Sequence, residues 1–203
     1  MKINLLSFAL LVCVGMGIEA AAQTRTTKQE TSQMRCMCIE NSFAQSPCAR
    51  DGKTPTAQEL VARREIQERI NHTIEADEAK DVEAATHFET ADFTVKNLDG
   101  TVDTLSDAKK GTQQGYDYVL RVSDKTYVNI DCLTLNGKEA TVYINQHFVR
   151  TVPDRRNGSP HELITNITHR EIWVYTAQGW LRKHIDELQR GPTFLDGQPF
   201  NPD

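Results

Sequence analysis

The chain has no excess of positive charge, no glycine-rich phosphate loop, no dinucleotide fingerprint and no G-x-S-x-G elbow. Each gap closes off a class of function. With 23 Lys and Arg against 28 Asp and Glu, the formal net charge is −5. Binding to nucleic acid calls for a concentrated basic surface. The nearest approaches, Arg63-Arg64 and Lys109-Lys110, are pairs set among acids and read as solvated helix faces, so no nucleic-acid partner is expected. Without a phosphate cradle or nucleotide motif, no cofactor is expected either. Metal-ligand spacing is equally poor. His161-Glu162 and His169-x-Glu171 put ligand types close together, but zinc normally gathers three or four at clearer intervals, and no metal is expected there. Long apolar runs are also missing, because Leu5 to Gly17 is too short to span a bilayer as a lasting anchor.

What is present at the start is an export signature. Lys2 gives a positive first segment, Leu5 to Gly17 an apolar one, and Ala20-Ala21-Ala22 a small-residue cleavage site before Gln23. Residues 1–22 are therefore expected to be a signal peptide, with a periplasmic or extracellular destination. A lipoprotein would need Cys13 to be acylated, but Val12 stands where a small residue is required and Cys13 lies inside the apolar run. Cleavage removes Lys2 and Glu19, which cancel, so the charge stays at −5. About 180 residues remain, enough for one domain with tails.

Four cysteines survive cleavage, Cys36, Cys38, Cys48 and Cys132. An even number in an oxidising compartment favours one or two disulfides, with connectivity left open. The rival reading, Met34, Cys36, Met37 and Cys38 as soft ligands for a cuprous ion, rests on one short segment without a repeat. Residues 23–56 are rich in Thr, Gln, Ser and Lys and show no sustained periodicity, as in a flexible leader.

Order is expected from Pro55-Thr56 onward. Thr56 and Glu59 form a capping box, and Leu60, Ile66, Ile70 and Ile74 give one buried stripe to a helix over 57–78. Asp81 caps a short second helix carrying Val82, Ala85 and Phe88 and ending near 89–91. Phe93 and Val95 alternate with polar residues before the turn Asn97-Leu98-Asp99-Gly100. A third helical stretch from Thr104 or Ser106 toward Val122 is expected to be broken by Gly111 and Gly115. From Tyr127 to Asp186 the chain runs in β-branched and aromatic segments interrupted at Asn136-Gly137 and Ala177-Gln178-Gly179, the pattern of antiparallel strands.

This order resembles the SnoaL-like and nuclear transport factor two-like superfamily over residues 57–186. The resemblance rests on AKDVEAATHFETADFTV, a helix running into a buried aromatic and a first strand. It rests also on EIWVYTAQGWLRKHID, a strand, a Gly turn and a Trp-led last strand. It implies an α+β fold in which a strongly curved antiparallel sheet wraps the N-terminal helices into a cone with a pocket. Homodimers through the sheet are frequent in that superfamily. Residues 187–203, with Pro and Gly at short intervals, form an irregular tail outside the resemblance, and Phe194, Leu195 and Phe200 are expected to pack on the sheet or over the cone's mouth.

Chemistry must come from polar side chains pointing into the cone. On the strands, Tyr127, Asn129 and Asp131 oppose Val128, Ile130 and Cys132, and Tyr143, Asn145 and His147 oppose Val142, Ile144 and Gln146. In the third strand Leu163, Thr165, Ile167, His169, Glu171 and Trp173 share a face. If Tyr143, His147, His169 and Trp173 line the pocket, they place proton-transferring imidazoles between aromatic walls. Asp131 would then orient an imidazole or act as a base. The catalytic candidates are thus His147, His169 and Asp131, with Tyr143 and Trp173 as ligand-binding walls. Trp173 and Trp180 also read as core filling.

The superfamily's catalytic sets do not transfer intact. The isomerase-like carboxylate position falls near Lys96 and Asn97, out of register with Asp92 and Asp99, and no motif fixes Asp131, Arg150 and Arg170 as a hydrolase-like set. The leading expectation is therefore a non-catalytic exported module that binds a small apolar or amphipathic ligand or docks a protein. The alternative is a cofactor-free lyase, isomerase or hydrolase using His/Asp acid-base chemistry.

Overall fold

The structure, a computed structural model, describes residues 54–201. The expected signal peptide and almost all of the leader, with Cys36, Cys38, Cys48 and the Met34 to Cys38 ligand set, lie outside the described residues. No helix among the described residues is long and apolar enough to cross a membrane.

Helix α1 spans Ala57–Ala79 and opens with the capping box, Thr56 accepting from the Glu59 amide while the Glu59 carboxylate accepts from the Thr56 amide. Its buried stripe consists of Ala62, Ile66 and Ile70, while Leu60, expected to be inside, is 54 % exposed. Position 60 is six residues before Ile66, about 600° of helical rotation, which turns it well away from the stripe. Lys80 ends the helix in the left-handed region, φ 57°, and its ammonium bonds the carbonyls of Tyr116 and Val119. Asp81 caps the one-turn helix α2, Val82–Ala85, which stops before Phe88.

Helix α3, Leu105–Tyr118, runs unbroken through Gly111 and Gly115. The expected break does not occur. Each glycine costs up to about 1 kcal/mol in a helix interior, but a capping box at Thr104 and Asp107 holds the first turn, and Ala108, Thr112, Gly115 and Tyr116 bury one face. Tertiary packing outweighs propensity there. The helix also stops at Tyr118, and Arg121–Val122 belongs to a strand.

The described residues contain nine strands, in chain order β1 Glu89–Lys96, β2 Val102–Thr104, β3 Arg121–Val122, β4 Tyr127–Asn136, β5 Glu139–Pro153, β6 Pro160–Thr176, β7 Gly179–Arg190, β8 Thr193–Leu195 and β9 Gln198–Phe200. The sheet order is β2-β1-β7-β6-β5-β3, with β4 also on β5 and β8 on β6. The architecture is the expected α+β cone, but the sheet is mixed, since β1 pairs parallel to β7 and the other pairs are antiparallel. Helical and strand segments separate β1 from β7 in the chain, which frees that pair from hairpin geometry.

Both predicted reversals are present, at Gly137 (φ +62°) between β4 and β5 and at Gly179 (φ +88°) between β6 and β7. The tail is more regular than expected. Residues 187–190 complete β7, and β8 and β9 form a small hairpin on β6. Leu195 and Phe200 pack against the cluster of Tyr116, Val119, Phe148, Val152 and Leu163. A separate and larger cluster joins Ile66 and Ile70 of α1 to Val142, Ile144, Trp173 and Trp180 of the sheet.

Candidate functional site

Regular pairing of β5 with β6 decides which side chains face the helices. Ile144 lies opposite His169, Gln146 opposite Ile167 and Ala140 opposite Trp173, while Tyr143 lies opposite Arg170 and His147 opposite Asn166. Directly opposed residues share a face. His169 and Trp173 therefore point into the cone with Ile144, and Tyr143 and His147 occupy the other face. The shared face expected for Tyr143, His147, His169 and Trp173 does not exist, because the register between strands, invisible in either strand alone, sets their relation.

On the opposite face His147 stacks on Tyr127 with ring centroids 4.9 Å apart, and its Nδ1 lies 2.8 Å from Asn166 Oδ1. Asp131 is exposed at a bulge where the β4 register shifts between Ile130 and Cys132. The extra residue swings the following side chains over, so that Cys132 lies opposite Tyr143 and departs from the face of Val128 and Ile130. Arg63 of α1 binds the bulge through the carbonyls of Ile130 and Asp131. Of the three catalytic candidates only His169 reaches the interior.

Inside the cone is a cavity of about 70 Å3 to which α1, α3, β1, β4, β5, β6 and β7 all contribute. Its wall is largely apolar, with Ile70, Ile74, Phe93 and Ile144, and its polar lining includes Asp77, Thr86, Glu89, Gln146, His169 and Arg182. His169 is 7 % exposed. Its Nε2 has no hydrogen bond among the described residues, and its Nδ1 stands 3.6 Å from Glu171 Oε1, an ion-pair distance too long for a hydrogen bond.

Behind His169 lies a buried charge network. The Arg182 guanidinium donates to Glu171 Oε1 at 2.8 Å and to Glu89 Oε1 at 3.1 Å, and the Trp173 indole donates to Glu171 Oε2 at 2.7 Å. Burial alone would raise the Glu171 pKa, but Arg182, His169 and the Trp173 bond outweigh it and hold the carboxyl at about 2. One guanidinium cannot offset two buried carboxylates equally. Glu89 is the one pushed up, by burial against the pull of Arg182.

Asp77, at the end of α1, accepts a 2.6 Å hydrogen bond from the Tyr116 hydroxyl. Burial lifts its pKa to about 7 even though that bond favours the charged form. The same burial, with Asp77 beside it, raises the Tyr116 phenol. A carboxyl that titrates near neutrality can both give and take a proton.

The strand pattern exposed His169 but missed Asp77, Tyr116, Glu89 and Arg182. A signal for Asp77 was there to be read. It falls seven residues after Ile70 and three after Ile74, so the apolar stripe of α1 runs onto an acid.

No family model matches the chain, and no curated protein matches it. Solved structures do. A proposed scytalone dehydratase from Novosphingobium aromaticivorans is 15% identical with a TM-score of 0.57, covering 66% of this chain and 87% of that one. A nuclear transport factor two-like superfamily protein from Salmonella enterica is 18% identical with a TM-score of 0.50, covering 64% and 91%. A proposed dehydratase of that family from Streptomyces avermitilis is 11% identical with a TM-score of 0.51, covering 64% and 98%. The chain therefore has the nuclear transport factor two-like cone fold, as the sequence resemblance implied. At such identities the likeness is one of fold.

Proposed function

We propose that this is an exported cone domain that takes a small molecule into its cavity and performs cofactor-free proton transfer on it, of lyase or isomerase type, through His169 and Asp77. One observation carries the reading. A nine-tenths-buried imidazole with a free Nε2 and a carboxyl with a pKa near 7 line the same mainly apolar cavity. Burial of polar groups without partners is costly, and such groups concentrate where substrate is bound. Glu171 stands 3.6 Å from the imidazole Nδ1, and neither ring nitrogen has a hydrogen-bond partner among the described residues. Neighbours of the same fold described as dehydratases agree with this class of chemistry.

Deuterium exchange tests it without knowledge of the substrate. Acetone, a probe of about the cavity's size, is incubated with the protein in D2O and followed by proton NMR. Exchange of the protons next to the carbonyl should exceed that in buffer and fall by about 100-fold in His169→Gln, the ordinary scale of acid-base catalysis. Exchange equal to buffer, with acetone bound, would leave the second reading, a non-catalytic binding pocket. That reading is favoured by the occupation of Asp77 by Tyr116.

Export rests on Lys2, the apolar run and Ala20-Ala21-Ala22. Its measurement is the N-terminus of the secreted protein, expected at Gln23. The disulfide suggested by the cysteine count is proposed to include Cys132, which is half-buried on β4. Peptide mapping without reduction should find Cys132 linked to Cys36, Cys38 or Cys48. Alkylation of Cys132 in the unreduced protein would refute the link.

A further inference from the structure

The β6–β7 hairpin and α1 enclose a second hollow, an open groove of about 410 Å3 lined by Glu65, Glu68, Arg69, Phe88, Tyr175 and Trp180, among others. It shares no lining residue with the cone cavity. Its aromatic wall is preassembled, with Tyr175 and Trp180 packed edge to face at 5.2 Å and Tyr175 47 % exposed.

The Arg69 guanidinium lining the groove is already engaged by the protein. Arg69 lies over the Phe88 ring at 4.7 Å and donates to the Gln178 carbonyl at 2.8 Å. The hairpin is shaped around it, since a Cβ at Gly179 would stand 2.3 Å from Arg69 Nη2. The carboxylates are less committed. Glu65 Oε2 accepts from the Trp180 indole at 3.1 Å, and Glu68 is exposed with no hydrogen-bond or ion-pair partner among the described residues. Two carboxylates beside the negative faces of aromatic rings attract a cation of low charge density, by Coulomb attraction and by cation-π contact together.

We propose that this groove binds a substituted ammonium group of a small molecule, held against Tyr175 and between Glu65 and Glu68. The two tryptophans of the chain make the test internal. The Trp180 indole N–H lies in the groove and the Trp173 indole N–H is bonded to Glu171 in the core, so each reports on its own place.

Choline is titrated into the 15N-labelled full chain, with its neutral isostere 3,3-dimethylbutan-1-ol and with acetate as controls. Choline should move the Trp180 indole cross-peak with saturation and leave that of Trp173 in place. Tyr175→Ala and Glu68→Gln, both exposed positions, should each weaken binding about two- to fivefold, with an unchanged Trp173 peak reporting an intact core. Four results would overturn the proposal: no saturable shift, an equal response to the neutral isostere, a response to acetate alone, which would assign the groove to an anion on Arg69, or unchanged affinity in both variants.

Discussion

The Tyr116 hydroxyl donates a 2.6 Å hydrogen bond to Asp77 Oδ1, tying the last turn of α1 to the last turn of α3 at the edge of the cone cavity. That contact holds in place a carboxyl that burial has driven to a pKa of about 7. The consequence is a pH dependence with a definite sign.

An acid whose pKa is raised in the folded state keeps a proton that the unfolded chain releases. Between the ordinary value near 3.8 and the folded value near 7 the folded state binds the extra proton, so stability falls as pH rises through that window and levels off above it. Asp77→Asn keeps the shape and removes the titration. Urea midpoints at pH 4, 5.5, 7 and 8 should decline less across the window in the variant than in the parent.

Glu171 behaves in the opposite sense. Its pKa of about 2 means that it supports the fold above the ordinary carboxylate range and loses that support as pH falls toward 2. Glu171→Ala leaves the Trp173 indole and part of the Arg182 guanidinium unpaired in the core. It should destabilise the protein by about 3–5 kcal/mol, the scale for breaking a buried ion pair from one side. Glu171→Gln, which retains an acceptor for the indole, should cost less, as chemical unfolding would show.

The β8–β9 hairpin is tied down by His161 at the start of β6. His161 Nδ1 lies 2.6 Å from Asp196 Oδ2 and Nε2 3.6 Å from Asp154 Oδ2, and Asp196 also accepts from the Glu162 amide at 2.8 Å. The Asp196 bond above all raises the His161 pKa. The tie is therefore fully present below the unfolded value near 6.5 and is lost as pH rises through the raised folded value. Amide exchange across residues 193–200, corrected for intrinsic rates, should lose protection as pH climbs from 6 to 9, and His161→Ala should flatten that change.

Gly137 and Gly179 both sit at positive φ in hairpin turns, but they differ in surroundings. A Cβ at Gly137 meets nothing within 4 Å among the described residues, whereas one at Gly179 displaces Arg69 from its carbonyl and from Phe88. Gly137→Ala should cost about 1–2 kcal/mol for the left-handed backbone alone. Gly179→Ala should cost about 1 kcal/mol more for the lost hydrogen bond, a ranking that thermal unfolding measures.

By itself the sequence determined the starts of the helices, the long strands and their order, because those depend on neighbours in the chain; it missed β3 and the β8–β9 hairpin. Thr56 with Glu59, Asp81, Asn136-Gly137 and the Gly179 turn all act within a few residues, and alternation along β5 and along β6 reads correctly strand by strand. The tertiary structure alone decided what those strands do together. Register put His169 and Trp173 inside and Tyr143 and His147 outside. A single bulge moved Cys132 onto the face of Tyr143 and left Asp131 exposed, and packing carried α3 through two glycines. The charges at Asp77, Glu89, Glu171 and Arg182 come from α1, β1, β6 and β7. Their pKa values follow from burial and from one another, quantities that exist only once distant segments have met.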